Sequence, residues 1–165
     1  MAETLSIPAG SSKDEMYRAL LPQIAAVIEG VADPIANMAN IAAILKEAFD
    51  FYWVGFYRTT APENLVLGPF QGPLACVAIP FSKGVCGAAA RKQQTIIVPD
   101  VDKFPGHIAC SSLSRSEIVV PLVAGGATQL VLDVDSDRLD AFDETDKLYL
   151  EEIVGLLRRE NFEAA

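Results

Sequence analysis

Residues 104–135 read FPGHIACSSLSRSEIVVPLVAGGATQLVLDVD, and the fold class turns on this stretch. Phe104, Pro105 and Gly106 are irregular backbone, and Ser111, Ser112 and Ser114 keep the following segment polar, so the chain arrives as a loop. Ile118, Val119 and Val120 are β-branched and apolar and predict a buried strand, which Pro121 is expected to end. Gly125 and Gly126 then make a turn, and Gln129 to Asp133 is expected to return as a hairpin partner, which makes the pairing antiparallel. The same stretch carries the only histidine, His107, with Cys110 and Glu117. Cys110 lies on a loop beside a rigid strand, where exposure and fixed position meet. Glu117 stands at the strand mouth, where partial desolvation raises a carboxyl's pKa and keeps a proton available for donation.

Upstream, Phe51–Arg58 (FYWVGFYR) is aromatic and β-branched and predicts a strand with Trp53, Gly55 and Tyr57 on one face. Trp53 and Tyr57 are expected either to pack into a core or to form an aromatic wall with a gap over Gly55. Asn64–Phe70 and Leu74–Ile79 are the next predicted strands, divided by Gln71, Gly72 and Pro73, and Cys76 falls in the second. Gly84 and Gly87 bracket Cys86 at the start of a short alanine-rich helix, where unpaired backbone N–H groups are expected to lower its pKa. Thr95–Val98 is a further short strand. Asp133 and Asp135 point to one side if their strand continues; solvent exposure, a metal site and a cage for a cationic ligand all fit that pair.

Helices are expected at both ends of the chain. Ser11 or Ser12 caps a first helix through Met16, Tyr17, Leu20, Leu21, Ile24 and Val27, kinked or restarted at Pro22. Asp33 and Pro34 open a second, with Ile35, Met38, Ile41, Leu45 and Phe49 along one face. Phe142 and Asp143 are the staple and cap of a last helix, with Leu148, Ile153, Leu156 and Leu157 as its stripe. The fold class is therefore α+β: a largely antiparallel sheet of about six strands flanked by helices, in one domain over residues 1–165.

Composition narrows the function. A formal charge of −9 argues against nucleic acid or an anionic membrane as partner. No apolar run approaches the roughly 20 residues of a membrane span, and MAETLSIPAG lacks the features of a signal peptide, so a soluble, cytoplasmic protein is expected. Three cysteines are an odd number for a disulfide framework, and any disulfide is expected to be transient. His107 and Cys110 without paired ligand spacings make a poor zinc signature, so no metal and no bound cofactor are expected. Thiol redox chemistry uses more of the sequence: one thiolate is oxidised to a sulfenic acid, and a second condenses with it to a disulfide. On physical grounds Cys86 and Cys110 compete as the reactive thiolate. Cys76 and Cys86, 34 and 24 residues from Cys110, are equally placed as its partner. Nothing in the sequence decides between monomer and homodimer.

Three motifs go further. LVLGPFQGPLACVAIPFSKGVCG, VPDVDKFPGHIACSSLSRSEIVVPL and VLDVDSDRLDAFDETD closely resemble the free methionine-(R)-sulfoxide reductases, a GAF-domain enzyme family, over a span from about Trp53 to the last helix. The resemblance implies a GAF-like fold whose closed pocket reduces free methionine-(R)-sulfoxide. It implies Cys110 as the attacking cysteine and Glu117 as the acid that binds and protonates the sulfoxide oxygen. It also implies Asp133 and Asp135 as holders of the substrate's ammonium, Trp53 and Tyr57 as the wall around its methyl group, and Cys76 and Cys86 as recycling candidates. Of these two, Cys76 is taken as the partner. Thioredoxin, charged ultimately by NADPH, is the implied reductant. A GAF small-ligand sensor and a general thiol peroxidase are the alternatives, and neither gives a role to the whole set: a sensor has no use for a thiol facing an acid, nor a peroxidase for paired aspartates.

Overall fold

The computed structural model describes residues 4–108, 110 and 112–163; Ser111 of the polar turn lies outside them. Ser12 caps α1 (Lys13–Ile28) in a reciprocal box with Glu15, Asp33 caps α2 (Pro34–Phe49) with Pro34 in its first turn, and Asp143 caps α4 (Glu144–Asn161) in a box with Asp146. Each cap satisfies backbone N–H groups that a helix start leaves unpaired. The first helix is continuous through Pro22, so the expected restart does not occur; Pro22 is exposed, where water can take up the carbonyl its missing N–H leaves free. Tyr17 Oη donates to Asp146 Oδ1 at 2.9 Å and Lys13 Nζ pairs with Asp146 at 2.6 Å, tying α1 to α4.

Among the described residues the strands are β1 (Trp53–Ala61), β2 (Asn64–Gln71), β3 (Ala78–Pro80), β4 (Ile96–Val98), β5 (Ser116–Ala124) and β6 (Ala127–Ser136). They form one sheet in the order β3-β2-β1-β6-β5-β4, with antiparallel neighbours throughout. Alternation then divides the side chains between two cores. Val54, Phe56, Leu132, Val134, Ile118 and Val120 face α1, α2 and α4, while Trp53, Tyr57, Val131, Val119 and Val98 face α3 (Gly84–Lys92) and the loops. The candidate site residues of the sheet lie on this second face.

Three expectations change. Of the expected Leu74–Ile79 strand only Ala78 and Ile79 fall within a strand, so Cys76 is on a crossing loop; Leu74 and Val77 there are 89% and 71% exposed. Pro121 does not end β5, which runs on opposite Val131. On the other side β4 pairs β5 only over Glu117–Val119, so Pro121 lies on an edge that lacks a neighbour and tolerates a missing donor. Leu148 is 60% exposed and does not belong to the buried stripe of α4.

Gly55 also differs from expectation, because the space above it is filled. A Cβ there would meet Phe70 Cβ at 2.3 Å and the Trp53 ring at 2.8 Å. We expect Gly55→Ala to lower stability by about 1–3 kcal/mol, the range for overpacking, and to displace Trp53, read by denaturant unfolding and tryptophan fluorescence. A variant with unaltered midpoint and spectrum would show that the contact relaxes freely.

Candidate active site

Strand register builds the site. Trp53 pairs with Asp135, and Asp135 with Glu117, so one cross-strand row carries an aromatic ring and two carboxyls. The adjoining row runs from Gly55 to Asp133 to Val119, and Tyr57 follows one pleat on. Above the sheet, α3 brings Cys86 down onto these groups, and Gly84 N donates to Gly106 O at 3.0 Å, joining the start of α3 to the loop that bears Cys110. Opposite, the Tyr57 hydroxyl donates to Cys76 O (3.1 Å) and Trp53 Nε1 to Pro73 O (3.1 Å), holding the crossing loop over the sheet.

The two loops meet in a disulfide between Cys76 and Cys110, with Cα atoms 5.3 Å apart. Beneath it is a cavity of about 520 Å³, its open mouth included. All eight residues singled out from the sequence, Trp53, Tyr57, Cys76, Cys86, Cys110, Glu117, Asp133 and Asp135, come together here: seven line the cavity and Cys76 closes over it through its bond to Cys110. Solvent exposure of the aspartate pair is excluded for Asp133, which is 7% exposed. Trp53 and Tyr57 are at once core residues and a wall, with ring centroids 5.9 Å apart.

Electrostatics makes this floor a store of protons. Burial, reinforced by Asp133 and Asp135, pushes the Glu117 carboxyl well above the usual carboxylate range. Burial and Asp135 push Asp133 up likewise, and burial raises Asp135 to about 6 although the Ser114 hydroxyl donates to it. Three buried acids this close do not all ionise at neutral pH. Cys86 reverses the expectation of a lowered pKa: burial first, then the charges of Asp133 and Glu117, push its thiol well above normal. Its Sγ donates to Glu117 Oε1 at 3.9 Å. The positive end of α3 is outweighed by the acids it faces.

Two further polar side chains, His107 and Ser114, line the cavity. His107 Nε2 is 3.9 Å from Glu117 Oε2, and burial lowers the imidazole's pKa, so it stands beside the acid as a neutral group. Ser114 binds Asp135. Sequence reasoning left both out of the substrate set, since a serine in a polar turn gives no sign of its partner. Asp133 Oδ1 is buried with no hydrogen-bond partner, a costly state for an acceptor and one that a donor within the cavity would relieve. Among the described residues no helix is long and apolar enough to cross a membrane.

Comparison with known proteins identifies the family. A GAF domain is matched over residues 33–159. The chain is 57% identical to GAF domain-containing protein A of Dictyostelium discoideum, covering 95% of this chain and 99% of that one. It is 40% identical to free methionine-R-sulfoxide reductase of Saccharomyces cerevisiae, covering 96% and 92%. The X-ray structure of free methionine-R-sulfoxide reductase from Neisseria meningitidis in complex with its substrate superposes with a TM-score of 0.92 at 56% identity, covering 95% of this chain and 94% of that one.

Proposed function

Because the chain belongs to the free methionine-R-sulfoxide reductases of the GAF-domain family, we infer that it is an oxidoreductase that reduces free methionine-(R)-sulfoxide to methionine. The observation that carries the reading is one cavity lined by Cys110, by Glu117, whose pKa burial raises, and by Asp133, whose Oδ1 is buried without a hydrogen-bond partner. The substrate's ammonium is held by Asp133 and Asp135, where it donates to the orphaned oxygen and neutralises charge. A peptide-linked methionine has no such ammonium, which confines the enzyme to the free amino acid. The methyl group rests on Trp53 and Tyr57, and the sulfoxide oxygen faces Glu117.

The thiolate of Cys110 takes the oxygen as Glu117 supplies a proton, leaving methionine and a sulfenic acid at Cys110. Cys76 then attacks that sulfur, water leaves, and the two cysteines become the disulfide. The bond between Cys76 and Cys110 supports Cys76 as the resolving residue, and the burial of Cys86 speaks against it in that role. Thioredoxin, a dithiol reductant renewed by NADPH, is the proposed source of electrons. The half-buried disulfide and the exposed Leu74 and Val77 beside it are where it would land. A cycle that needs a dithiol supply belongs in a reducing compartment, the cytoplasm.

The test is NADPH-coupled turnover with thioredoxin on separated R and S epimers of free methionine sulfoxide and on peroxide. Selective consumption of the free R epimer supports the reading; equal turnover of peroxide makes the protein a general thiol peroxidase. We further expect Cys76→Ser to release one equivalent of methionine and stall with a sulfenic acid that a specific probe can trap, whereas Cys86→Ser continues to cycle. Multiple turnovers by Cys76→Ser would transfer the resolving role elsewhere.

A further inference from the structure

One group in the cavity has no part in this cycle. Cys86 is a buried free thiol whose sulfur, with one oxygen each from Glu117 and Asp133, forms a set of atoms all within 4.8 Å of one another. We propose that these three side chains constitute a divalent-cation site, taking Zn²⁺ or another thiolate-binding first-row ion at the floor of the pocket, and that the ion excludes the substrate by occupying the place of its ammonium. The metal site stands independently of the reductase reading; only the exclusion of substrate rests on it.

Geometry supports the ligand set. Ligand atoms of tetrahedral zinc with bonds of about 2.0–2.3 Å stand roughly 3.5 Å apart, and Cys86 Sγ and Glu117 Oε1 are at 3.9 Å. The ligands come from α3, β5 and β6, whose positions are fixed by strand pairing and core burial, so small side-chain adjustments complete the contact. Asp133 Oδ1 is a second and separate sign: a buried acceptor without a donor is a vacant coordination point as much as a vacant hydrogen bond. A fourth position is open to water from the cavity. Thiolate and carboxylates together suit zinc or cobalt better than magnesium or calcium, which prefer oxygen alone. No sequence spacing announces the site, since each ligand comes from a different element.

In the oxidised protein Cys76 and Cys110 are bonded, so Cys86 is the one free thiol of the three cysteines. Titration with Co²⁺ should then give a near-ultraviolet thiolate-to-cobalt charge-transfer band and intense visible bands of tetrahedral cobalt, both removed by Zn²⁺. Cys86→Ser should abolish the charge-transfer band, and Asp133→Asn should raise the midpoint at least tenfold. Absence of the band in the wild type, or an unchanged midpoint in Asp133→Asn, overturns the site. In the Cys76→Ser/Cys110→Ser double variant, which binds without turnover, free methionine-(R)-sulfoxide should shift the cobalt midpoint upward; no shift at saturating substrate overturns the exclusion. If the protein does not reduce methionine sulfoxide at all, the cobalt band is still expected, so the two readings fail separately.

Discussion

Cys110→Ser should abolish NADPH-coupled turnover, with a loss of about 10³-fold or more, the scale on which enzymes fail when a covalent nucleophile is removed. The chemistry leaves little room for compensation. Oxygen transfer to a thiol gives a sulfenic acid, whereas transfer to a serine hydroxyl would have to give a hydroperoxide, with an O–O bond far weaker than the S–O bond it replaces. Cys86 is no substitute, because burial and the neighbouring acids hold its thiol protonated. The substitution also removes the disulfide, which closes a loop of 34 residues and on the chain-entropy account is worth about 4 kcal/mol. A fair comparison therefore sets Cys110→Ser against the reduced wild type: the two should unfold at the same midpoint, and only activity should differ. Near wild-type turnover by Cys110→Ser would mean that another group carries the oxygen.

The parts of this reading that were legible in the sequence are those written in local chemistry. Ser12, Asp33 and Asp143 cap the helices they were expected to cap, because capping involves side chains and N–H groups within three residues of each other. Trp53 with Tyr57, and Asp133 with Asp135, share a face because alternation along a strand is local too. What stayed hidden depends on partners distant in the chain. Pro121 looks like a stop because sequence does not say that β4 pairs β5 no further than Val119. The Cys76 segment is apolar enough for a strand, yet Tyr57 and Trp53 bond its backbone from below and hold it across the pocket mouth. Cys86 is the sharpest case. Its place in the first turn of α3 argues for a low pKa, but deep burial and the three acids of the strands beneath outweigh it.

The same competition fixes the outcome expected for Glu117→Gln: kcat lower by about 10²-fold or more, the usual worth of a general acid, in a protein that becomes more stable at alkaline pH. Glutamine keeps the shape of the side chain and its capacity to hydrogen-bond, but has no proton to give the sulfoxide oxygen. The stability effect follows from the direction of the shift. Glu117 has a folded pKa raised by burial and by Asp133 and Asp135, above the unfolded value of about 4.3. Its stabilising contribution is therefore complete below that unfolded value and is lost as pH rises through the folded one. Asp135, raised to about 6, adds a loss of the same sign within the same rise. Removing the Glu117 charge eliminates its share of the alkaline loss, so melting temperatures of variant and wild type should diverge in the variant's favour as pH increases. A structural defect would lower stability and activity together, whereas a lost proton donor lowers activity alone. The pH profile separates them again: wild-type turnover should fall as Glu117 ionises on the alkaline side, and the residual turnover of Glu117→Gln should lack that limb. A variant with wild-type kcat, or one whose alkaline limb persists, would assign the proton to another of the buried acids.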